Sequence, residues 1–155
     1  MSESPTVHGN FTIERHYDAA PARVFAAFAD PAKKKSWFAA SDTHEITAFD
    51  SDFRIGGIEK LHYRFGENTP FPGAHLTNDG YYHDIVPERR IITSSHMAIA
   101  GRPISVALVT IELTPSGEGT DVSCTFQGAF FEGSDGTVMR RGGWETLLDR
   151  LAHSL

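Results

Sequence analysis

Residues 11–31 of the chain read FTIERHYDAAPARVFAAFADP and combine two different periodicities. Over residues 11–17 apolar and polar side chains alternate, which predicts a β-strand with one buried face. After Pro21 the apolar residues fall at helical spacing, and proline suits a first helical turn because its missing N–H is not needed there. The Asp-Pro pair at 30–31 repeats this start signal and predicts a second helix that runs to about residue 38. The stretch therefore predicts one strand followed by two short helices.

Downstream of these helices the sequence changes to β character. Six segments rich in β-branched and aromatic residues are separated by turn formers, and they lie near residues 44–50, 53–63, 80–86, 90–99, 103–113 and 120–130. Residues 78–80, Asn-Asp-Gly, are one of the predicted turns, and residues 66–75 are expected to form an irregular loop. Short connections between the last four strands favour antiparallel hairpins, because parallel neighbours need a crossover of about a dozen residues.

The end of the chain predicts a long amphipathic helix. Apolar residues follow the i, i+3, i+4, i+7 rule from Trp144 to Leu155, and Ser134 or Asp135 can cap the N-terminus. A helix over residues 136–153 would be about 27 Å long, enough to lie across a sheet.

Together these elements predict an α+β fold in a single domain spanning residues 1–155. The helices should cover one face of a twisted antiparallel sheet, and a straight helix on a curved sheet leaves a hollow unless large side chains fill it. Gly142 and Gly143 are unfavourable inside the last helix, at about 1 kcal/mol each relative to alanine. Close approach of the helix backbone to the sheet is the favoured compensation, and space left open over a cavity is the alternative.

Composition and charge exclude several classes of function. The 14 Lys and Arg against 20 Asp and Glu give a net charge of -6, which argues against binding along a nucleic-acid backbone. The basic runs at 33–35 and 140–141 are interpreted as solvated helix faces. The single Cys124 forms no internal disulfide, and residues 1–5 lack the pattern of a signal peptide, so a cytoplasmic location is predicted. No apolar run approaches the roughly 20 residues that cross a bilayer, so no membrane insertion is expected.

Several motifs in a fixed order resemble the START-like SRPBCC superfamily, which includes the birch-pollen allergen fold. They are the opening stretch 11–31 with Trp37-Phe38, Asp52-x-Arg54-x-Gly56-Gly57, IVPERRI at 85–91, TIELTPSGEGT at 110–120 and GWETLLDRL at 143–151. From about residue 8 to the C-terminus the chain is similar to the branch of homologues of the activator of the heat-shock protein 90 ATPase. The resemblance implies a helix-grip fold, in which a seven-stranded antiparallel sheet holds the C-terminal helix and two short helices close one end. It also implies a deep, mainly apolar cavity, which relatives use for lipids, sterols, polyketides and plant hormones.

Eleven residues are candidates for the wall of this cavity. They are Arg15, Phe25, Trp37, Phe38, Phe49, Phe53, His62, Tyr82, Asp84, Phe126 and Trp144. In a regular strand Tyr82 and Asp84 share one face and Tyr81, His83 and Ile85 the opposite one, and only one of the two sets can face the cavity. The first set is favoured, and with Arg15 and His62 it would supply a few polar groups within an apolar site. Two alternatives stand beside this hypothesis: a structural salt bridge from Asp84 to Arg15 or Arg54, and simple core packing for most of the aromatic residues.

The leading hypothesis is binding of a small hydrophobic ligand of lipid, polyketide or aromatic type between the C-terminal helix and the sheet. An enzymatic alternative has Asp84, His62 and Tyr82 acting as acid and base, as in the related polyketide cyclases and dehydratases, and it needs two titratable groups close together in the cavity. A third hypothesis is a module that stimulates a chaperone ATPase, as the name of the branch suggests.

No cofactor or metal is expected, because the histidines do not show the spacing of metal ligands. A homodimer formed through a sheet edge is compatible with the sequence, although no feature locates the interface.

Overall fold

The computed structural model describes residues 6–155. The elements in chain order are β1 (Val7–Tyr17), α1 (Pro21–Ala29), α2 (Pro31–Lys34), a π-helical turn (Lys35–Ala39), β2 (His44–Ser51), β3 (Ile58–Phe65), β4 (His75–Val86), β5 (Arg90–Ile99), β6 (Arg102–Ser116), β7 (Gly119–Phe130) and α3 (Gly136–Ser154). The strands form one antiparallel sheet in the order β1-β7-β6-β5-β4-β3-β2. The predicted helix-grip arrangement of seven antiparallel strands, two short helices and a long C-terminal helix is confirmed.

The β2–β4 region differs from the prediction. Residues 78–80, predicted as a turn, lie inside β4, where Asn78 pairs with Leu61 on one side and with Met97 on the other. Strand partners on both sides satisfy the backbone here, and this outweighs the local turn preference of Asn-Asp-Gly. Residues 53–57, predicted as part of a strand, instead form a turn closed by the Gly57 N–H, which donates to the Arg54 carbonyl.

The short helices place several large side chains at one end of the sheet. Asp30 caps α2 by accepting the N–H of Ala32 at 2.9 Å, as its position before Pro31 predicts. The helix then widens into the π-helical turn, whose Trp37 donates its indole N–H to the Ala27 carbonyl at 2.9 Å. This bond between α1 and the turn fixes Trp37 and its neighbour Phe38 against the core, where both are buried.

The core lies between α3 and one face of the sheet, which we call the inner face. It is the face of Ile13, Tyr17, Val109 and Phe126, all of them buried. On α3, Leu148 and Leu151 are fully buried against this face. The Tyr17 hydroxyl donates to the Leu148 carbonyl at 2.9 Å and so ties the second half of α3 to β1.

Gly142 and Gly143 of α3 face solvent. Both are exposed, and a Cβ added to either would meet no atom within 4 Å. The predicted close approach to the sheet is therefore wrong, and neither glycine borders the cavity described below.

We expect Gly142→Ala and Gly143→Ala each to raise the free energy of unfolding by roughly 0.5–1 kcal/mol, because alanine reduces the backbone freedom of the unfolded chain and meets no clash. Urea denaturation followed by circular dichroism measures this. Gly101→Ala is the matched control, since it also adds a methyl group into open space but at a φ of +78°. There we expect a loss of about 1 kcal/mol. A loss of stability in the α3 variants would show that the glycines have a role that their surroundings do not explain.

Cys124 lies in the middle of the core on β7 and is fully buried. Burial raises the pKa of its thiol to about 12, because the apolar surroundings disfavour the thiolate. We expect Cys124 of the native protein not to react with a thiol reagent such as 5,5′-dithiobis(2-nitrobenzoate) at pH 8. In concentrated urea we expect one thiol per chain to react. Rapid labelling of the native protein would contradict this placement.

Candidate functional site: the cavity between α3 and the sheet

A cavity lies between the inner face of the sheet, the π-helical turn and α3. Its aromatic wall consists of Phe28, Trp37, Phe38, Phe53, Tyr82, Phe126 and Trp144, and polar groups come from Lys34, Glu59, Asn78, Thr93, Ser95 and Arg140. The cavity volume is about 50 Å³. This is less than the roughly 150 Å³ that holds a benzene molecule, and far below the roughly 300–1,000 Å³ of drug-sized pockets. The deep, mainly apolar cavity that the resemblance implies is thus narrowed here by large side chains and is partly polar.

The predicted wall residues fall into two groups. Trp37, Phe38, Phe53, Tyr82, Phe126 and Trp144 line the cavity, whereas Arg15, Phe25, Phe49, His62 and Asp84 do not. Phe25 and Phe49 are partly buried and pack against the core beside it, as the core-packing alternative predicts. Whether the six lining residues bind a ligand stays a prediction.

A β-bulge in β4 separates Tyr82 from Asp84. Tyr82 pairs with Thr93 of β5, but Asp84 pairs with Ile92, the adjacent residue of the same strand. Because neighbouring residues of a strand point to opposite faces, Tyr82 turns to the inner face and Asp84 to the outer one. The expectation that they share a face is wrong, and only the pairing of β4 with β5 reveals the bulge.

Asp84 has a structural partner on the outer face. Its Oδ2 accepts a hydrogen bond from Arg90 Nε at 2.6 Å. A salt bridge of Asp84 is therefore present, but with neither of the two predicted arginines. Arg15 Nε instead lies 3.6 Å from Asp149 Oδ1 of α3, and Arg54 pairs with a neighbouring aspartate.

His62 also lies away from the cavity. It follows Leu61, whose buried side chain points to the inner face, so His62 projects from the outer face. There its Nε2 is 2.8 Å from Asp79 Oδ1. Asp84, His62 and Tyr82 consequently do not meet in one site.

The cavity wall instead contains a buried polar cluster that we call the Lys34 cluster: Lys34, Glu59, Tyr82 and Ser51. Lys34 Nζ and the Tyr82 hydroxyl both donate to Glu59 Oε2, and the Ser51 hydroxyl donates to the Tyr82 oxygen at 2.6 Å. The Lys34 and Glu59 side chains are only 7% and 13% exposed. Burial, reinforced by the negative charge of Glu59, raises the pKa of Tyr82 well above its usual range, so Tyr82 remains a protonated donor.

Arg140 of α3 is the second buried cation at the cavity. Its Nε and Nη2 donate to the two carboxylate oxygens of Asp135 at 2.9 and 2.7 Å, and both Nη atoms donate to Ser105 at 3.1 Å. Burial acts to raise the pKa of Asp135, but the hydrogen bonds and positive charge of Arg140 outweigh it and lower the pKa. Of the two predicted caps of α3, Asp135 accepts no capping hydrogen bond, and its backbone is helical rather than extended. The Gly136 N–H donates instead to Ser134 Oγ at 3.4 Å.

The interpretation of the basic runs as solvated helix faces is wrong for Lys34 and Arg140, which are buried. The spacing between these cations and the aromatic residues that follow them is a signal for their burial. Lys34 precedes Trp37 and Phe38 by three and four residues, and Arg140 precedes Trp144 by four, so each cation shares a helix face with cavity aromatics. Glu59 lies two residues before the inward-facing Leu61, so the period-2 pattern of a strand places it on the inner face as well.

A seven-stranded antiparallel sheet that encloses a long C-terminal helix, with a cavity between them, defines this chain as a START-like protein of the SRPBCC superfamily. Residues 18–155 match the family model described as activator of Hsp90 ATPase homolog 1-like protein. The chain belongs to this family.

Solved structures agree with this assignment. A protein from Rhizobium loti, known from its crystal structure, has 43% sequence identity to this chain. The alignment covers 98% of this chain and 100% of the Rhizobium loti chain, with a TM-score of 0.86. A putative uncharacterized protein from Rhizobium leguminosarum is 33% identical over 97% of this chain and 95% of its own, with a TM-score of 0.87. The solution structure of an AHSA1-like protein from Aeromonas hydrophila is 23% identical over 94% and 91% of the two chains, has a TM-score of 0.68 and shows the fold alone. No curated protein matches the chain.

Two further features bear on the other predictions. None of the helices within residues 6–155 has the length and apolar character that crossing a membrane requires. Over the same residues, no group of three or more His, Cys, Asp or Glu side chains is arranged to hold a metal ion.

Proposed function

We propose that this protein binds a small molecule with an apolar body in the cavity between α3 and the sheet. The observation that carries the proposal is an open interior space walled by aromatic side chains, because protein interiors otherwise pack with few voids larger than a water molecule. Aromatic walls supply affinity by burial of apolar surface, and a few fixed polar groups supply orientation. Membership of a family of ligand-binding or activator modules is consistent with this function.

The volume of the cavity limits what can enter without movement of its walls. At about 50 Å³ it accommodates a few water molecules rather than an aromatic ring. Three apolar wall residues, Phe53, Met97 and Trp144, are partly exposed, whereas the other apolar wall residues are buried. We therefore expect these three side chains to move when a ligand enters.

The test uses toluene as a probe, in an NMR titration of the ¹⁵N-labelled protein. We expect shifts at cavity residues in the wild type, and binding at least tenfold weaker in Val109→Phe, whose larger side chain fills the cavity. Val106→Phe is the matched control, because Val106 is also on β6 but is 43% exposed and does not border the cavity. Equal binding by all three proteins would contradict the proposal. Native mass spectrometry of the purified protein, followed by extraction, then identifies any retained molecule.

Stimulation of a chaperone ATPase is the second candidate function, and the description of the family favours it. A pull-down and an ATPase assay with the chaperone from the same organism test it, and clear stimulation would place this role first. A single domain, a homodimer and a cytoplasmic location likewise stay predictions.

The acid–base mechanism is not proposed for Asp84, His62 and Tyr82, since two of these residues face away from the cavity.

A further inference from the structure

The two buried cations that border the cavity are each neutralised by a carboxylate. Lys34 pairs with Glu59, and Arg140 forms a two-point pair with Asp135. The formal charges at the cavity wall therefore cancel. A ligand with a net charge would bring an uncompensated charge into an enclosed site, which is strongly unfavourable. The balance of charge favours an uncharged ligand.

The hydrogen-bonding capacity of the two cations is not exhausted by these pairs. An ammonium group has three N–H donors, and Lys34 donates to a single oxygen among residues 6–155. Its Nζ otherwise lies over the Phe38 ring at 4.6 Å and the Tyr82 ring at 5.6 Å. Within residues 6–155, Arg140 uses four of its five N–H groups in hydrogen bonds to Asp135 and Ser105. The wall thus offers spare donors, which suit an oxygen on the ligand.

Glu59 offers one spare acceptor beside these donors. Lys34 and Tyr82 both donate to Oε2, and Oε1 accepts no hydrogen bond from any side chain described in the structure. Among the described residues no fully buried side-chain oxygen or nitrogen lacks a partner, so Oε1, which has none, is accessible to water or to a ligand. A hydroxyl group can pair with both residues, because its oxygen can accept a hydrogen bond from Lys34 while its O–H donates one to Glu59 Oε1.

We infer that the ligand is an uncharged, hydroxyl-bearing aromatic molecule of the phenol type, with its hydroxyl bound by Lys34 and Glu59. This inference rests on the proposed function, since it specifies the ligand of the same cavity. The aromatic body would lie among Phe38, Tyr82 and Trp144, and it is the hydroxyl that the site would distinguish. A hydrocarbon of the same shape would leave the donors of Lys34 without an oxygen, and a charged analogue would break the balance of charge.

The test compares four one-ring probes at pH 7 by NMR titration: phenol, its near-isostere toluene, the anion benzoate and the cation benzylammonium. We expect phenol to bind at least tenfold more tightly than each of the other three. The titrations are repeated with Val109→Ala, which widens the cavity, and we expect the four probes to keep the same order of affinity.

The outcomes separate the two proposals. If toluene binds and phenol binds no better, or if benzoate or benzylammonium binds as tightly as phenol, the inference is overturned while ligand binding stands. If none of the four probes binds either protein, the proposed function falls and the inference falls with it.

A double variant tests the role of the Lys34 cluster directly. Lys34→Met with Glu59→Gln removes both charges together, and we expect the preference for phenol over toluene to fall to within about twofold while toluene affinity is kept. Lys33→Met, an exposed neighbour, is expected to retain the preference. An unchanged preference in the double variant would overturn the assignment. Should that variant not fold, nuclear Overhauser contacts in the wild type decide: phenol protons near the Phe38 and Tyr82 rings support the inference, and contacts only elsewhere overturn it.

Discussion

Lys34→Met is expected to lower the free energy of unfolding by about 3–5 kcal/mol, the largest effect of any exchange of a single lysine in this chain. The variant removes the positive partner of Glu59, whose side chain is only 13% exposed, and so leaves a buried carboxylate without its counter-charge. The loss of the Lys34 ammonium group from its place over the Phe38 ring adds to this cost. Urea denaturation monitored by the fluorescence of the two tryptophans measures the effect.

The neighbouring lysines provide matched controls. Lys33 and Lys35 carry the same side chain one residue to either side but are exposed, so their methionine variants should change stability by no more than about 0.5 kcal/mol. The Lys34→Met, Glu59→Gln double variant should recover part of the loss, because it no longer buries an unpaired charge. A cost below about 1 kcal/mol for Lys34→Met would mean that the ion pair is solvated, and the charge argument for an uncharged ligand would lose its basis.

Gly80→Ala is expected to lower stability by roughly 3 kcal/mol, because the added methyl group has no room. Gly80 is buried in β4, and a Cβ built on its backbone would stand 1.8 Å from the carbonyl oxygen of Ser94 on β5. A backbone atom in a sheet cannot swing aside as the end of a flexible side chain can. Accommodation therefore requires the two strands to separate or to shift beside the bulge that positions Tyr82.

The same exchange at Gly142 is the control, since both variants replace glycine by alanine and only the surroundings differ. Thermal and urea unfolding of the pair should shift in opposite directions. In Gly80→Ala we also expect the amide resonances of Tyr82 and Thr93 to move, as the pairing of β4 with β5 adjusts. A Gly80→Ala protein as stable as the wild type would show that this part of the sheet tolerates displacement.

The buried ion pair of Lys34 and Glu59 borders the cavity. Replacing a buried ion pair by apolar residues is often neutral or stabilising, so stability alone does not account for the Lys34 cluster. Its place beside the aromatic side chains of the wall suits a role in orienting a bound molecule. The partly exposed Phe53, Met97 and Trp144 would then control entry, while the cluster remains in place.

Local periodicity was sufficient to predict much of the wall. The strand at residues 11–17, the paired helices and the C-terminal helix each follow a repeat that the sequence displays within a few residues, and six of the eleven proposed wall residues border the cavity. These six are large aromatic side chains, and all but Phe53 lie on elements that the sequence predicts correctly. Large apolar surface favours burial, so a pattern within one element predicts that such side chains are inside, but it does not separate those that border the cavity from Phe25 and Phe49, which pack beside it.

The polar part of the site depended on contacts between distant segments. Asp84 points to the outer face because β4 has a bulge where it pairs with β5. The residues around position 84 do not predict this bulge. Lys34 is buried because Glu59, 25 positions along the chain, supplies its counter-charge. Whether a charged side chain is buried is decided by a partner that can neutralise it, and that partner is brought close only by the tertiary fold. The sequence by itself thus determined the order of strands and helices along the chain and most of the aromatic wall, without Phe28 and with Phe25 and Phe49 in excess. Strand register and charge pairing, both long-range properties, decided which polar groups face the cavity.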